Sequence, residues 1–227
     1  MPRYQANTTY KGKKSCIQEL TNGTCTWTVP SGITEVTFEL WAAGASGAGH
    51  CCCDCYHAGP GGAGGGYTTA TITTIPGCQY SIVVGAGGSQ DSPYYACCGV
   101  PGGVTCITGY NIPSTLYATS GRGGVNDCYY ACGCTFTAAT AGGGGIVARG
   151  VNSAMGGGSS VTCIFAVSGG PPFMNSWYPW GSDHCCGEMY GDYGRFPGGS
   201  GLTGIPFQCC ACTNGGGGAS GLVRIHY

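Results

Sequence analysis

Glycine runs separated by short β-type segments constrain this chain more than any other feature. Glycine supplies 47 of the 227 residues, and runs recur at 142–145, 156–158, 198–201 and 215–218. A stretch of small residues such as 42–49 cannot pack as an ordinary core, but it allows close backbone approach. We therefore expect either tight strand edges or polyglycine-like extended helices packed side by side.

Aliphatic side chains are too few to account for the fold alone. Leu, Ile, Val and Phe together make up about 15% of the chain, below the roughly 20% that usually supports a core. Charged residues are only 7% and the net charge is −1, which argues against a charged disordered tail. Order is therefore expected from backbone hydrogen bonds, from the 15 Tyr and 4 Trp, and from cross-links.

The segments between the glycine runs have the pattern of β-strands. Val36, Phe38 and Leu40 alternate with Thr37 and Glu39, which predicts a half-buried strand. Further strands are predicted at 26–29, 67–75, 80–84 and 221–227, with turns at 30–32 and 76–77. The expected fold class is all-β, a β-sandwich with long glycine-rich, polyglycine-like loops that are cross-linked by cysteines.

The first 26 residues differ from the rest, because they are polar and contain no glycine run. We interpret 1–26 as an N-terminal attachment arm and 27–227 as one glycine-rich, cysteine-rich β domain. The alternative is a solvated terminus in which Cys16 and Cys25 close a small loop. The chain start lacks the apolar core of a standard secretory signal.

Charge and hydropathy argue against two classes of partner. The near-neutral charge gives no general case for nucleic acid, and the one basic patch, at 11–14, is short. No run of about 18 apolar residues occurs. Neither nucleic-acid binding nor membrane insertion is expected.

Nineteen cysteines indicate a disulfide framework in an oxidising setting. The connectivity of such a framework does not follow from sequence. The odd count requires at least one thiol that is free, intermolecular or bound to metal. The disulfide candidates are Cys16, Cys25, Cys51, Cys52, Cys53, Cys55, Cys97, Cys98, Cys128, Cys132, Cys134, Cys185, Cys186, Cys209, Cys210 and Cys212.

Metal binding is the competing interpretation of the cysteines. Cys52 and Cys55, like Cys209 and Cys212, have zinc-knuckle spacing, and histidines lie nearby. That spacing arises easily by chance when cysteine is this dense, so disulfides are favoured. No metal or cofactor is predicted.

Aromatic residues between the glycine runs are candidates for surface recognition, because exposed rings stack on sugars at low entropic cost. The alternative is that these rings replace the missing aliphatic core. The recognition candidates are Tyr94, Tyr95, Tyr129, Tyr130, Trp177, Tyr178 and Trp180.

Catalytic motifs are not found in the sequence. No G-x-S-x-G elbow precedes a helix, and the glycine runs lack the Lys-Ser/Thr that completes a phosphate loop. We therefore predict no enzymatic activity and no catalytic residues.

The order of elements resembles a known family. The stretches VPSGITEVTFELWAAGASG, GGAGGGYTTATITTIPGCQYSIVVGAGG and GGGGASGLVRIHY resemble the glycine-rich domain of bacteriophage tail fibre and adhesin proteins. The resemblance covers most of 27–227 and implies a β-sandwich core with glycine-rich loops or polyglycine helices and a structural or host-recognition role on the virion. The chain departs from that pattern in its CCCDC block at 51–55 and in the cysteine at position 78.

Together these features predict a non-enzymatic virion or extracellular structural protein, a fibre or adhesin subunit that contacts a host cell surface. The expected partners are further copies of the chain, as a trimer or filament, other virion or fibre proteins, and a host-surface glycan. A self-assembling scaffold, filament or capsid-decoration subunit without its own receptor is the first alternative. A cysteine-rich metal-binding module is the second.

Overall fold

The computed structural model describes residues 16–47, 50–51, 62–90, 99–123, 141–142, 193–194, 196–201 and 212–227. All regular elements in these ranges are strands. They are β1 (Ile17–Leu20), β2 (Gly23–Thr28), β3 (Glu35–Trp41), β4 (His50–Cys51), β5 (Tyr67–Thr73), β6 (Gln79–Val84), β7 (Thr105–Gly109), β8 (Leu116–Ala118), β9 (Ala141–Gly142), β10 (Cys212–Thr213) and β11 (Leu222–His226).

The strands form two antiparallel sheets and one short separate pair. The first sheet has the order β1-β11-β3-β5, the second has the order β2-β6-β7-β8-β9, and β4 pairs with β10. The alternation predicted over 36–40 is confirmed, since Val36, Phe38 and Leu40 are fully buried. The predicted turn at 76–77 connects β5 to β6, which lie in different sheets.

A core of mixed aromatic and aliphatic side chains lies between the two sheets. Phe38 and Ile225 come from the first sheet, and Tyr80 and Trp27 come from the second. The rings of Phe38 and Tyr80 are 5.1 Å apart, and those of Trp27 and Phe38 are 6.0 Å apart. Each large ring buries much apolar area, so the aromatic side chains compensate for the low aliphatic content. The strands and sheets confirm the predicted all-β fold.

Six strands of the sandwich continue directly into glycine-rich segments at one common end. The ends coincide because Trp41 pairs with both Tyr67 and Leu222, while Thr105 pairs with Ala118. The strand and segment pairs are β3 with 42–47, β5 with 62–66, β6 with 85–88, β7 with 99–103, β8 with 119–123 and β11 with 216–221.

Segment 42–47, the central segment, donates its backbone N–H groups in three directions with a period of three residues. Its N···O distances to the acceptor segments are 2.9 to 3.2 Å. Ala42 and Ala45 donate to 62–66, Ala43 and Ser46 to 99–103, and Gly44 and Gly47 to 216–221. An extended helix with three residues per turn and no internal hydrogen bonds has this symmetry.

Three other segments donate back to the central segment, so six surround it in the described part of the chain. Gly121, Gly88 and Gly201 donate to the carbonyl oxygens of Ala43, Gly44 and Ala45. Backbone hydrogen bonds also connect neighbours around the ring, in the order 62–66, 119–123, 99–103, 85–88, 216–221, 198–201 and back to 62–66. We call these seven segments the bundle, and its end away from the sandwich the far end.

Close backbone approach explains the glycine in the bundle. A Cβ added at Gly44 would overlap the carbonyl oxygen of Gly199, and one added at Gly121 would overlap that of Ala63. Of the two arrangements expected from sequence, packed polyglycine-like helices are the one observed here.

The N-terminal strands belong to the sandwich. β1 and β2 lie at the edges of the first and second sheet, so the predicted boundary between 26 and 27 falls inside β2. Cys16 exchanges backbone hydrogen bonds with Tyr227, whereas Cys25 lies on the other sheet against the core. The two cysteines are free thiols, so the predicted disulfide loop between them is not formed, because the sheets separate them.

Candidate functional site

The predicted recognition residues lie outside the described residues. These are Tyr94, Tyr95, Tyr129, Tyr130, Trp177, Tyr178 and Trp180. Their positions in the chain are still informative, because Tyr94 and Tyr95 fall between Gly88 and Gly99, which both belong to the bundle. The stretch that carries Trp177 is followed by Gly194, whose N–H donates to the carbonyl of Gly217.

Two of the predicted cysteine positions lie at the far end of the bundle. Cys51 belongs to β4 and Cys212 to β10, and the two residues are Cα partners. The other cysteines predicted for disulfides, apart from Cys16 and Cys25, lie outside the described residues: Cys52, Cys53, Cys55, Cys97, Cys98, Cys128, Cys132, Cys134, Cys185, Cys186, Cys209 and Cys210.

An exposed aromatic side chain lies on the side of the bundle. Tyr193 is 67% exposed, and its hydroxyl donates to Oε1 of Gln90 at 3.0 Å. Phe196 is also exposed. Neither is in the predicted recognition set, although both lie in an aromatic-rich stretch just before the glycine-rich segment 198–201, and that position is the signal that could have identified them.

Glu39, on the first sheet, is the centre of a set of polar contacts that we call the polar cluster. Tyr67 donates its hydroxyl to Oε1 of Glu39 at 2.7 Å, and Nε2 of His226 lies 2.7 Å from Oε2. Nη1 of Arg224 lies 3.7 Å from Oε2 of Glu39, and Nη2 of Arg224 lies 2.7 Å from Oε1 of Glu19. These contacts connect the four adjacent strands β1, β11, β3 and β5.

The polar cluster shifts two pKa values in opposite directions. Partial burial alone would raise the pKa of Glu39, but the hydrogen bonds from His226 and Tyr67 and the nearby positive charges outweigh it and lower the pKa. Burial, together with the hydrogen bond to Glu39, raises the pKa of Tyr67. Both shifts favour a charged Glu39 carboxylate beside a neutral Tyr67 phenol, and the hydrogen bond between them stabilises the pairing of β3 with β5.

The glycine-rich domain family matches this chain over residues 20–227. The match spans ten of the strands described above from their first residue, and the whole bundle. This protein belongs to the glycine-rich domain family. Among curated proteins, no match to the chain is found.

Two of the cysteines that the structure describes in this glycine-rich domain, Cys25 and Cys106, are partly buried. Burial raises the pKa of the Cys25 and Cys106 thiols, which lowers their nucleophilic fraction at neutral pH. No group of three or more metal-ligating side chains occurs within the described ranges. No helix in those ranges has the length and hydropathy that a membrane crossing requires.

Proposed function

We propose that this glycine-rich domain is a non-enzymatic structural protein of a virion or of the extracellular space, a fibre or adhesin subunit that contacts a host cell surface. The bundle is the observation that carries the proposal. It joins the sandwich to a far end, where 42–47 ends and 62–66 begins, and where 85–88 ends and 99–103 begins.

The bundle supports a positioning role because its segments are held from several sides. The central segment is hydrogen-bonded to six neighbours within the described chain. A support of this kind lowers the entropy that a binding surface must lose when it meets its partner. Tyr94 and Tyr95 fall in the sequence between the bundle residues Gly88 and Gly99, so in this proposal the bundle is the rigid base of the loop that carries them.

Carbohydrate is the ligand class that suits such a surface. Tyr and Trp rings stack on sugar faces, and exposed glycine backbone offers amide donors and carbonyl acceptors. A single site of this kind binds weakly. Multiple copies in a trimer or filament, built with other virion or fibre proteins, raise the avidity.

Glycan-array binding of the purified full chain, with intact host-type cells as a second probe, tests the proposal. We expect binding that the double substitutions Tyr94→Ala/Tyr95→Ala or Trp177→Ala/Trp180→Ala reduce at least tenfold. The matched control is Tyr110→Ala, because Tyr110 is exposed in the β7–β8 turn, at the end of the sandwich opposite the bundle. Equal losses in all three variants would argue against recognition at the far end.

Oligomeric state and binding together separate the adhesin from the scaffold. Light scattering is expected to show an oligomer, and the glycan array is expected to show binding. An oligomer that binds neither glycans nor cells would favour the scaffold, filament or capsid-decoration subunit. A monomer without binding would contradict both functions.

A further inference from the structure

A single antiparallel register runs from the first sheet, through the bundle, to the far end. Leu222 is the Cα partner of Trp41, the last residue of β3, and three residues beyond it the N–H of Gly44 donates to the carbonyl of Ala219. Three residues further again, Gly47 donates to Gly216, and then His50 pairs with Thr213. The stretches on either side, 41–51 and 212–222, therefore keep one register at each of these described pairings.

This register places two cysteines opposite each other. Cys51 and Cys212 are Cα partners in the β4–β10 pair. Directly opposed residues of an antiparallel pair have Cα atoms about 4.5–5.5 Å apart, and a disulfide requires about 4.4–6.8 Å. We propose that Cys51 and Cys212 form a disulfide that closes the far end of the bundle.

A disulfide at this position would stabilise the short β4–β10 pair at the far end of the bundle. β4 and β10 are two residues long, and so short a pair is marginal on its own. It is the last pairing of the register that the described residues contain. The cysteines are about 160 residues apart in sequence, so the link constrains a very long loop in the unfolded chain.

The reaction needs an external oxidant of the disulfide class, such as oxidised glutathione. The thiolate of one cysteine attacks the glutathione disulfide, releases one glutathione thiol and forms a mixed disulfide. The second cysteine displaces the other glutathione. One S–S bond forms, one breaks, and the two electrons and two protons lost by the protein thiols appear on two reduced glutathione molecules.

The inference does not depend on the proposed function, because it concerns only the covalent state of the far end. The first test is mass spectrometry of the full chain, equilibrated with oxidised glutathione, alkylated and digested without reduction. We expect a cross-linked peptide pair whose fragmentation locates the bond at Cys51 and Cys212. Fragment spectra that place these two cysteines in other bonds, or in alkylated form, would overturn the proposal.

Thiol titration under denaturant with a chelator gives an independent count. If the bond exists, Cys51→Ser frees one partner and raises the number of titratable thiols by one, whereas the double variant with Cys212→Ser leaves it unchanged. Cys106→Ser is the control, since Cys106 is a free thiol, and it lowers the count by one. If the number of titratable thiols instead fell by one in the single variant and by two in the double variant, both thiols would be free or metal-bound in the natural chain. The proposal of a disulfide would then be wrong.

Discussion

Thr105 Oγ1 donates a hydrogen bond to the carbonyl oxygen of Trp41 at 2.8 Å. Thr105 Oγ1 in turn accepts a hydrogen bond from the N–H of Gly85 at 3.1 Å. Thr105 is fully buried on the second sheet, and Trp41 ends a strand of the first. One hydroxyl therefore joins the two sheets at the level where their strands become glycine segments.

Replacement of this hydroxyl is expected to destabilise the junction. Thr105→Val keeps the shape of the side chain but removes the hydrogen bond to the Trp41 carbonyl and leaves the Gly85 amide without its acceptor. Because unsatisfied buried polar groups cost about 1–3 kcal/mol, we expect the free energy of unfolding to fall by about 2 kcal/mol in urea denaturation. Thr108→Val, at an exposed position of the same strand, is the control, and an equal loss in both variants would contradict the assigned role.

A single methyl group is expected to disrupt the bundle. Gly121→Ala places a Cβ against the carbonyl oxygen of Ala63, a backbone atom that cannot rotate away. Overpacking typically costs about 1–3 kcal/mol, so thermal denaturation should show a clear fall in Tm. Ala86→Ser adds an atom at an exposed position of another bundle segment and should leave Tm nearly unchanged. An unchanged Tm in Gly121→Ala would mean that the segments are not packed this closely.

Acid is expected to weaken the first sheet through Glu39. The pKa of Glu39 in the folded state lies below its ordinary value of 4.5, so its contribution to stability is present above about pH 4.5. That contribution is lost as the pH falls through the folded-state pKa. Denaturation curves between pH 2 and 7 should therefore show a smaller acid-induced loss for Glu39→Gln than for the natural chain.

Glu35→Gln is the control for that experiment, because Glu35 is exposed at the start of the same strand. It should follow the natural chain. If Glu39→Gln and Glu35→Gln gave the same pH profile, the contacts of Glu39 with His226, Tyr67 and Arg224 would not determine the acid stability.

Alkali is expected to act through Tyr67. The pKa of Tyr67 is raised above its ordinary value of 10, so its neutral form stabilises the fold below about pH 10. This contribution is lost as the pH rises through the folded-state pKa. Tyr67→Phe should reduce the alkaline loss of stability measured between pH 9 and 12. Some loss should remain, because burial also raises the pKa of Tyr80.

Tyr110→Phe is the matched control for alkali, since the Tyr110 side chain is exposed. Ultraviolet titration of the phenolates gives a second measurement for Tyr67. Its replacement by Phe should abolish a late ionisation of the natural chain. Loss of no late ionisation in Tyr67→Phe would contradict the raised pKa that burial and the hydrogen bond to Glu39 give this residue.

Individual strands were predictable because the alternation and type of a few neighbouring residues indicate which side chains are buried. The alternation at 36–40 predicts β3, and the Thr-rich stretch from Tyr67 predicts β5, whose first residue is correct. The Pro76-Gly77 turn was also predictable, since Gly77 adopts φ of +85°. The contribution of β1 was missed because Gln18 and Glu19 give 17–20 a polar pattern, and its position depends on pairing with β11.

The polar cluster could not be derived from sequence, because its members are far apart in the chain. Glu39 and His226 are 187 residues apart, and only the pairing of β3 with β11 brings them together. The same limit applies to the cysteines. Their number suggested cross-links, but only the register places Cys51 opposite Cys212.

The sequence by itself determined that this chain forms β-strands, that small residues interrupt them, and that aromatic rings must supply much of its core. Alternation, composition and turn residues act over a few positions, so they can be read without a structure. The tertiary structure decided that 42–47 is the centre of the bundle and which six segments surround it. Glycine runs look alike and carry no side-chain pattern, so only the long-range backbone hydrogen bonds could specify their neighbours.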